Sequence, residues 1–193
     1  MELRGKAVIV TGASRGLGAA LAEALGRAGA RLVLISRDRE ALGSVVERIR
    51  AGGGEAHAVV ADVSAPEAAA RVAGTSGALV GPADVVIHNA GALGPIPLAP
   101  LADTSDADFE QALATNLLGP FRLTRALVGS MALRGRGTVV LVSHVTSGLP
   151  PWKFVPCIGL PARLYQTTTA PAANSGRLAS SERRPRRRAI RRS

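Results

Sequence analysis

Thr11-Gly12-Ala13-Ser14-Arg15-Gly16-Leu17-Gly18 is the stretch that decides the fold, and it directly follows the apolar run of residues 7–10. A strand, a glycine turn and a helix in this order suit the pyrophosphate of a dinucleotide, because a helix N-terminus offers free N–H groups and a positive dipole end. Gly12 permits the tight turn, and Gly16 lacks the Cβ that would keep a phosphate from the backbone. Gly18 lets the helix pack closely on the strand.

Composition indicates one domain of the α/β class. The chain has 193 residues, of which 47% are apolar, and it contains 22 glycines but few aromatic residues. These values suit a sheet filled by aliphatic side chains and joined by tight turns. The single cysteine, Cys157, excludes an internal disulfide framework, and the three histidines share no ligand spacing, so no metal site is expected.

The positive charge is concentrated at one end of the chain. The net charge is +10, and residues 177–193 contribute +7 of it through eight arginines and Glu182. The rest of the chain is nearly balanced, so we expect no specific nucleic-acid partner. No apolar run approaches the roughly 18 residues that span a bilayer, and the N-terminus does not resemble a signal peptide. A cytoplasmic protein without a membrane partner is expected.

Strand-like and helical patterns alternate along the chain, which is typical of a parallel sheet covered by crossover helices. The sequence predicts strands at residues 7–11, 31–35, 56–60, 85–88 and 138–143. It predicts helices at residues 17–28, 40–50, 66–80 and 106–133, with the glycines at 29 and 52–54 as helix stops. Right-handed crossovers order the strands 3-2-1-4-5, as in a doubly wound sheet.

Five features in order resemble the short-chain dehydrogenase/reductase family over residues 1–147. They are the glycine turn, Asp62-Val63, Asn89-Ala90-Gly91, Asn116 within a long helix, and Ser143 at the end of the fifth strand. The resemblance implies a Rossmann-like fold and an oxidoreductase that moves hydride between a nicotinamide cofactor and a small-molecule carbonyl or alcohol substrate. It also allows for a homo-oligomer in an intact relative.

The resemblance assigns roles to individual residues. Asn116 would hold a proton-relay water and Ser143 would polarise the substrate oxygen, so these two are the predicted catalytic residues. Asp62 and Val63 would contact the adenine. The predicted cofactor-binding residues are Gly12, Ser14, Arg15, Gly16, Leu17, Gly18, Arg37, Asp62, Val63, Asn89, Ala90 and Gly91.

Each of these residues also has a structural interpretation. Asp62 is of a type that caps turns and Asn89 of a type that starts loops, and taken singly we favour those interpretations. Asn116 is a poor helix former that is costly to bury unpaired, which favours a function. Ser143 could serve only as a hydrogen-bonding partner at a strand end. Its place at the carboxyl edge, where parallel sheets bind ligands, favours a function. His144 is expected to be a packed or exposed histidine.

Charge favours NADP(H) over NAD(H). An NAD ribose is usually held by a carboxylate at the end of the second strand, whereas this chain has Ser36-Arg37 there and Arg15 in the glycine turn. Two guanidinium groups favour a 2′-phosphate. In the alternative, both arginines are solvated and Asp38 holds the ribose.

The family's catalytic tyrosine and lysine have no counterpart in this chain. The only tyrosine is Tyr165, the residue four places later is Thr169, and the only lysine after Lys6 is Lys153. From about Ser147 the sequence becomes rich in Pro, Arg, Thr and Ser, which suggests a shifted reading frame. We therefore expect a dinucleotide-binding domain at 1–147, truncated after the fifth strand, and an irregular tail at 148–193.

Two functions follow from this departure. The first is an oxidoreductase of the short-chain type whose turnover is impaired. The second is a non-catalytic NADPH-binding module whose basic tail docks on nucleic acid or on an acidic partner.

Overall fold

The computed structural model describes residues 2–92 and 103–143. Its five strands are β1 (Ala7–Thr11), β2 (Arg31–Ser36), β3 (Glu55–Val60), β4 (Val85–His88) and β5 (Thr138–Leu141). Each coincides with a predicted strand to within two residues. The predictions for His144 and for the tail at 148–193 lie outside the described residues.

The helices also follow the predicted pattern. They are α1 (Gly16–Arg27), α2 (Arg39–Ala51), α3 (Ala68–Val80), α4 (Asp106–Leu113) and α5 (Gly119–Leu133). The predicted stops are confirmed, since Gly29 and Gly53 both have a φ of +81° just after α1 and α2. One difference lies within the long helix of residues 106–133, where residues 114–118 form a wider turn of π-helix, called the π-turn below.

The five strands form one parallel sheet in the order β3-β2-β1-β4-β5, as predicted from right-handed crossovers. Thr11 of β1 pairs with Ile35 of β2, and His88 of β4 pairs with Leu141 of β5. The carboxyl ends of these four strands therefore lie at the same edge of the sheet. The fold class is confirmed as a doubly wound, Rossmann-like sheet. Among the described strands, β5 forms the outer edge on its side.

The central strands β1, β2 and β4 are buried on both faces of the sheet. One face packs on α1 and α2 through residues such as Val8, Leu32 and Leu42, and the other packs on α3 and α5 through residues such as Ile9, Val33 and Leu123. Burial on both faces explains why β1, β2 and β4 are continuous apolar runs rather than alternating ones. The polar features of these strands are therefore confined to their ends.

The amino end of the sheet is held by Asp84. Its Oδ2 accepts a hydrogen bond from the Ala7 N–H at 3.2 Å, and its Oδ1 lies 3.6 Å from Arg134 and 3.5 Å from Arg136. This cluster ties the starts of β1 and β4 to the end of α5. The opposite edge of the sheet, where the strands end, carries the predicted site.

Candidate functional site

The glycine turn has the geometry that the sequence predicts. Gly12 and Gly16 have φ values of +66° and +55°, which glycine adopts freely. A Cβ on Gly12 would lie 2.8 Å from the Ala90 Cα, so the loops after β1 and β4 touch backbone to backbone. Helix α1 begins after Arg15 without a side-chain cap or an acidic residue in its first turn. Its N-terminus therefore suits an anion.

Thr11 and Asn89 join the two loops. The Thr11 hydroxyl accepts hydrogen bonds from the N–H groups of Asn89 and Ala90, both at 3.1 Å, and the Asn89 side-chain amide donates to the Gly12 carbonyl at 3.0 Å. Thr11 is buried, at 2% exposure. Asn89 thus begins a loop and also fixes the glycine turn. The sequence analysis did not single out Thr11; its signal is a hydroxyl at the end of an otherwise apolar strand.

Two Ser-Arg dipeptides meet at the end of β2. The Ser36 hydroxyl donates to the Ser14 hydroxyl at 2.8 Å, which places Ser14-Arg15 beside Ser36-Arg37. Asp38 follows this pair, and its Oδ1 caps α2 by accepting a hydrogen bond from the Ala41 N–H at 3.0 Å. The arrangement brings two hydroxyl groups and two arginine backbones to one place.

Asp62 forms the tight turn after β3. Its Oδ1 accepts hydrogen bonds from the Ser64 N–H at 2.9 Å and the Ser64 hydroxyl at 2.7 Å, and its Oδ2 lies 3.6 Å from Arg37. Partial burial acts to raise the pKa of Asp62, but the hydrogen bonds from Ser64 and the charge of Arg37 outweigh it and lower that pKa below its ordinary value. Asp62 is thus an ionised acceptor, and it also caps a turn.

The π-turn aims two consecutive side chains at this edge. Thr115 is buried and accepts a hydrogen bond from Gln111 at 3.2 Å. The Asn116 side chain binds both backbone groups of Ala92, each at 2.8 Å. Extra turns of this kind occur often at functional sites. Asn116 is half-buried, and its hydrogen bonds hold the loop after β4. This contact explains why an asparagine occupies this helical position.

Ser143 and His88 lie at the ends of β5 and β4. The Val142 N–H donates to the His88 carbonyl at 2.9 Å, so the exposed Ser143 follows β5 beside the loop that begins at Asn89. The His88 ring is 2% exposed and lies 2.8 Å from the Thr124 hydroxyl. Burial lowers the pKa of His88 to about 4, so the ring is neutral at physiological pH.

These loops enclose a cleft of about 250 Å³. Nine of the predicted cofactor-binding residues line it: Gly12, Ser14, Arg15, Arg37, Asp62, Val63, Asn89, Ala90 and Gly91. Gly16, Leu17 and Gly18 do not line it but lie in the adjoining first turn of α1. Three lining residues were missed in the sequence, namely Ile35, Ala61 and Thr115, whereas Ser36 was named beside Arg37 without being predicted to bind the cofactor. Their common signal is a position at or beside a strand end or next to a predicted site residue.

The described residues contain neither a metal-binding cluster nor a membrane-spanning helix. Within residues 2–92 and 103–143, no three His, Cys, Asp or Glu side chains are grouped so as to hold a metal ion. In the same part of the chain, no helix is both long enough and apolar enough to cross a membrane.

The family is decided by comparison with known sequences. The sequence profile of the short chain dehydrogenases matches residues 6–156. The chain belongs to the short-chain dehydrogenase family. This confirms the resemblance carried by the glycine turn and by the four motifs that follow it.

Relatives and solved structures agree with this assignment. An uncharacterized oxidoreductase of Mycobacterium tuberculosis is 37% identical over 186 residues, which are 96% of this chain and 66% of that protein. A metagenomic short-chain oxidoreductase in complex with NADP has a TM-score of 0.74 and 38% identity, covering 81% of this chain and 70% of that one. A 7α-hydroxysteroid dehydrogenase complexed with NADH has a TM-score of 0.73 and 28% identity, covering 79% and 58%.

The chain spans between about half and two thirds of the length of the curated relatives it matches. The solved relatives include complexes with either nicotinamide cofactor, so family membership alone leaves the choice of cofactor open.

Proposed function

We propose that the cleft binds NADP(H) in preference to NAD(H), in an oxidoreductase that acts on a small-molecule carbonyl or alcohol. The observation that carries this proposal is the convergence of Ser14-Arg15 and Ser36-Arg37 at the end of β2, where their hydroxyls are 2.8 Å apart. A 2′-phosphate needs hydrogen-bond donors and positive charge, and this corner of the cleft supplies both.

The glycine turn fits a pyrophosphate. A Cβ on Gly16 would meet no atom of the described part of the chain within 4 Å, which leaves room for a ligand in front of that backbone. The uncapped N-terminus of α1 faces the same region, with an arginine at its cap position and no acidic residue in its first turn. Anionic oxygens bound there would accept hydrogen bonds from backbone N–H groups.

The use of Asp38 supports the preference for the phosphate. A carboxylate that holds the ribose hydroxyls must be free to accept their hydrogen bonds. Oδ1 of Asp38 instead accepts from the Ala41 N–H and stabilises α2, and Asp38 is not among the residues that line the cleft. The charged side chains that line it are those of Arg15, Arg37 and Asp62.

The remaining residues would hold the two ends of the cofactor and the substrate. Asp62 and Val63 would bind the adenine, and the loop of residues 89–91 would line the nicotinamide end. When bound, the cofactor supplies or accepts hydride. The Ser143 hydroxyl would donate a hydrogen bond to the substrate oxygen, and Asn116 would hold the loop at Ala92 and position a water for proton transfer.

We propose that turnover by this chain is low, because Tyr165 and Lys153 do not have the family's tyrosine-lysine spacing. Loss of a positioned general acid typically lowers a rate by about 10²–10⁴-fold. We also propose that the chain consists of a dinucleotide-binding domain at 1–147 and an irregular tail at 148–193.

A pair of arginine substitutions tests the phosphate preference. Arg37→Gln removes a charge that lines the cleft, whereas Arg39→Gln removes one from the first residue of α2, which does not line it. We expect Arg37→Gln to weaken NADPH binding by about 10-fold or more and to leave NADH binding nearly unchanged, since hydrogen bonds between charged groups contribute about 1.5–3 kcal/mol. Arg39→Gln should change neither. Equal losses for the two cofactors in Arg37→Gln would refute the phosphate contact.

A further inference from the structure

The turn that would bind the adenine is held by α5. A Cβ on Gly119, the first residue of α5, would lie 2.6 Å from the Val63 carbonyl oxygen. The helix and the turn after β3 therefore touch backbone to backbone, which only glycine permits at this distance. The position of the turn is set by the start of α5 as well as by the end of β3.

Arg122 adds a directional contact one turn further along α5. Its Nη1 donates a hydrogen bond to the Ser64 carbonyl at 3.1 Å, and the contact is partly buried. Ser64 in turn donates twice to Asp62 Oδ1, from its N–H and from its hydroxyl. Arg122, Ser64 and Asp62 thus form one chain of hydrogen bonds that runs from the helix to the cleft.

This chain of hydrogen bonds uses one oxygen of Asp62 and not the other. Oδ1 is occupied by both Ser64 donors, whereas within residues 2–92 and 103–143 the contact of Oδ2 is with the exposed Arg37 guanidinium at 3.6 Å. Oδ2 is the atom that can accept a hydrogen bond from a ligand. A lone acceptor favours a base with an amino group and opposes a base that presents a carbonyl oxygen at the same position.

We propose that Arg122 is a positioning residue that aims Asp62 Oδ2 into the cleft and so makes the site selective for a 6-aminopurine over a 6-oxopurine. This inference rests on the proposed function, because it takes Asp62 as the adenine contact. Arg122 does not touch the ligand. It acts through Ser64, 58 residues away in sequence.

The test compares NADPH with its hypoxanthine analogue, nicotinamide hypoxanthine dinucleotide phosphate, by titration of nicotinamide fluorescence in the full chain. The wild type should bind NADPH more tightly by about 10-fold or more, as expected for a hydrogen bond to a charged group. Asp62→Asn should bring the ratio of the two dissociation constants close to one, since an amide can pair with either base.

Arg122→Met keeps the apolar stem and removes the donor, and we expect it to lower the wild-type ratio by about threefold or more, since a misdirected hydrogen bond weakens steeply. Arg125→Met is the matched control, because Arg125 is exposed on the same helix and lies over the Phe121 ring. It should keep the wild-type ratio. If Arg122→Met lowers the affinity for both dinucleotides by the same factor, the substitution has only disturbed the structure, and that result would overturn the proposal.

If Arg122→Met does not fold, Ser64→Ala tests the next step of the same chain, the hydroxyl donor to Asp62 Oδ1. It removes the hydroxyl donor to Oδ1 and leaves the helix untouched, so the ratio should fall here too. A wild-type ratio in folded Ser64→Ala would overturn the proposal. A wild type that binds neither dinucleotide would overturn the proposed function itself. A wild type that binds both, with the same ratio of dissociation constants in the variants, would overturn only the role of Arg122.

Discussion

A Gly18→Ala substitution adds one methyl group where α1 meets the loops after β1 and β4. The added Cβ would overlap the Gly12 carbonyl oxygen and lie 2.5 Å from the Asn89 side-chain nitrogen. Neither atom can move aside easily, because one is backbone and the other donates to that same carbonyl at 3.0 Å. The substitution therefore forces apart the contact that shapes the glycine turn.

The expected loss of stability follows from three contributions. At an open helical position, Gly→Ala stabilises by about 1 kcal/mol. Overpacking costs about 1–3 kcal/mol, and breaking the hydrogen bond between Asn89 and Gly12 costs about 1 kcal/mol more. We expect Gly18→Ala to lower the free energy of unfolding by about 1–3 kcal/mol and to weaken NADPH binding by about 10-fold or more, since a shift near 1 Å in a binding site has effects of this size.

Gly43→Ala is the matched control. Gly43 lies within α2, and a Cβ there would meet nothing within 4 Å. It should stabilise the chain by about 0.5–1 kcal/mol and leave NADPH binding unchanged. Urea unfolding followed by circular dichroism, with cofactor titration on the same samples, measures both effects. If Gly18→Ala is as stable as Gly43→Ala, the close contact at Gly18 is refuted.

Three further predictions concern groups around the site. The pKa of the buried His88 is about 4, below its ordinary value of 6.5, so as pH falls the unfolded chain takes up a proton at this histidine before the folded chain does. The stability that comes from a neutral His88 is therefore complete above pH 6.5 and is lost as pH falls towards 4. The loss in the free energy of unfolding should reach about 3 kcal/mol. Measured by urea unfolding, this free energy should change less with pH in His88→Gln than in the wild type; equal slopes would contradict the low pKa of His88. Asn116→Ala leaves both backbone groups of Ala92 unpaired and should cost about 1–3 kcal/mol in urea unfolding, whereas no loss would show that water replaces the amide. Asp38→Ala removes the cap of α2 and should cost about 1 kcal/mol without changing the ratio of NADPH to NADH affinity; a changed ratio would favour the alternative in which Asp38 holds the ribose.

The fold could be predicted from the sequence because its signals are local. The strands are apolar runs that end at polar residues, and the helices carry their own stops, such as Gly29. Once strands alternate with helices, the right-handed crossover rule restricts the strand order to few choices. The same reasoning placed Asn89 and Ser143 at one edge of the sheet.

Other features depend on contacts that the sequence does not display. The π-turn lies within a helical pattern that continues on both sides of it, so the one local mark of Thr115 as a cleft residue is its neighbour Asn116. Arg122 looks like any solvated arginine until α5 is packed against the turn at Ser64. Asp62 had a structural and a functional interpretation, and the structure shows why they are compatible: one carboxylate oxygen caps the turn while the other faces Arg37.

The central claim is that this cleft binds a nicotinamide dinucleotide through its 2′-phosphate. The most direct test is a fluorescence titration of the purified wild-type chain with NADPH and with NADH at physiological salt, where nonspecific attraction to the arginine-rich end is screened. The account predicts saturable binding with NADPH tighter by about 10-fold or more, as charge-assisted contacts to a phosphate imply. Equal affinities, or tighter binding of NADH, would contradict it.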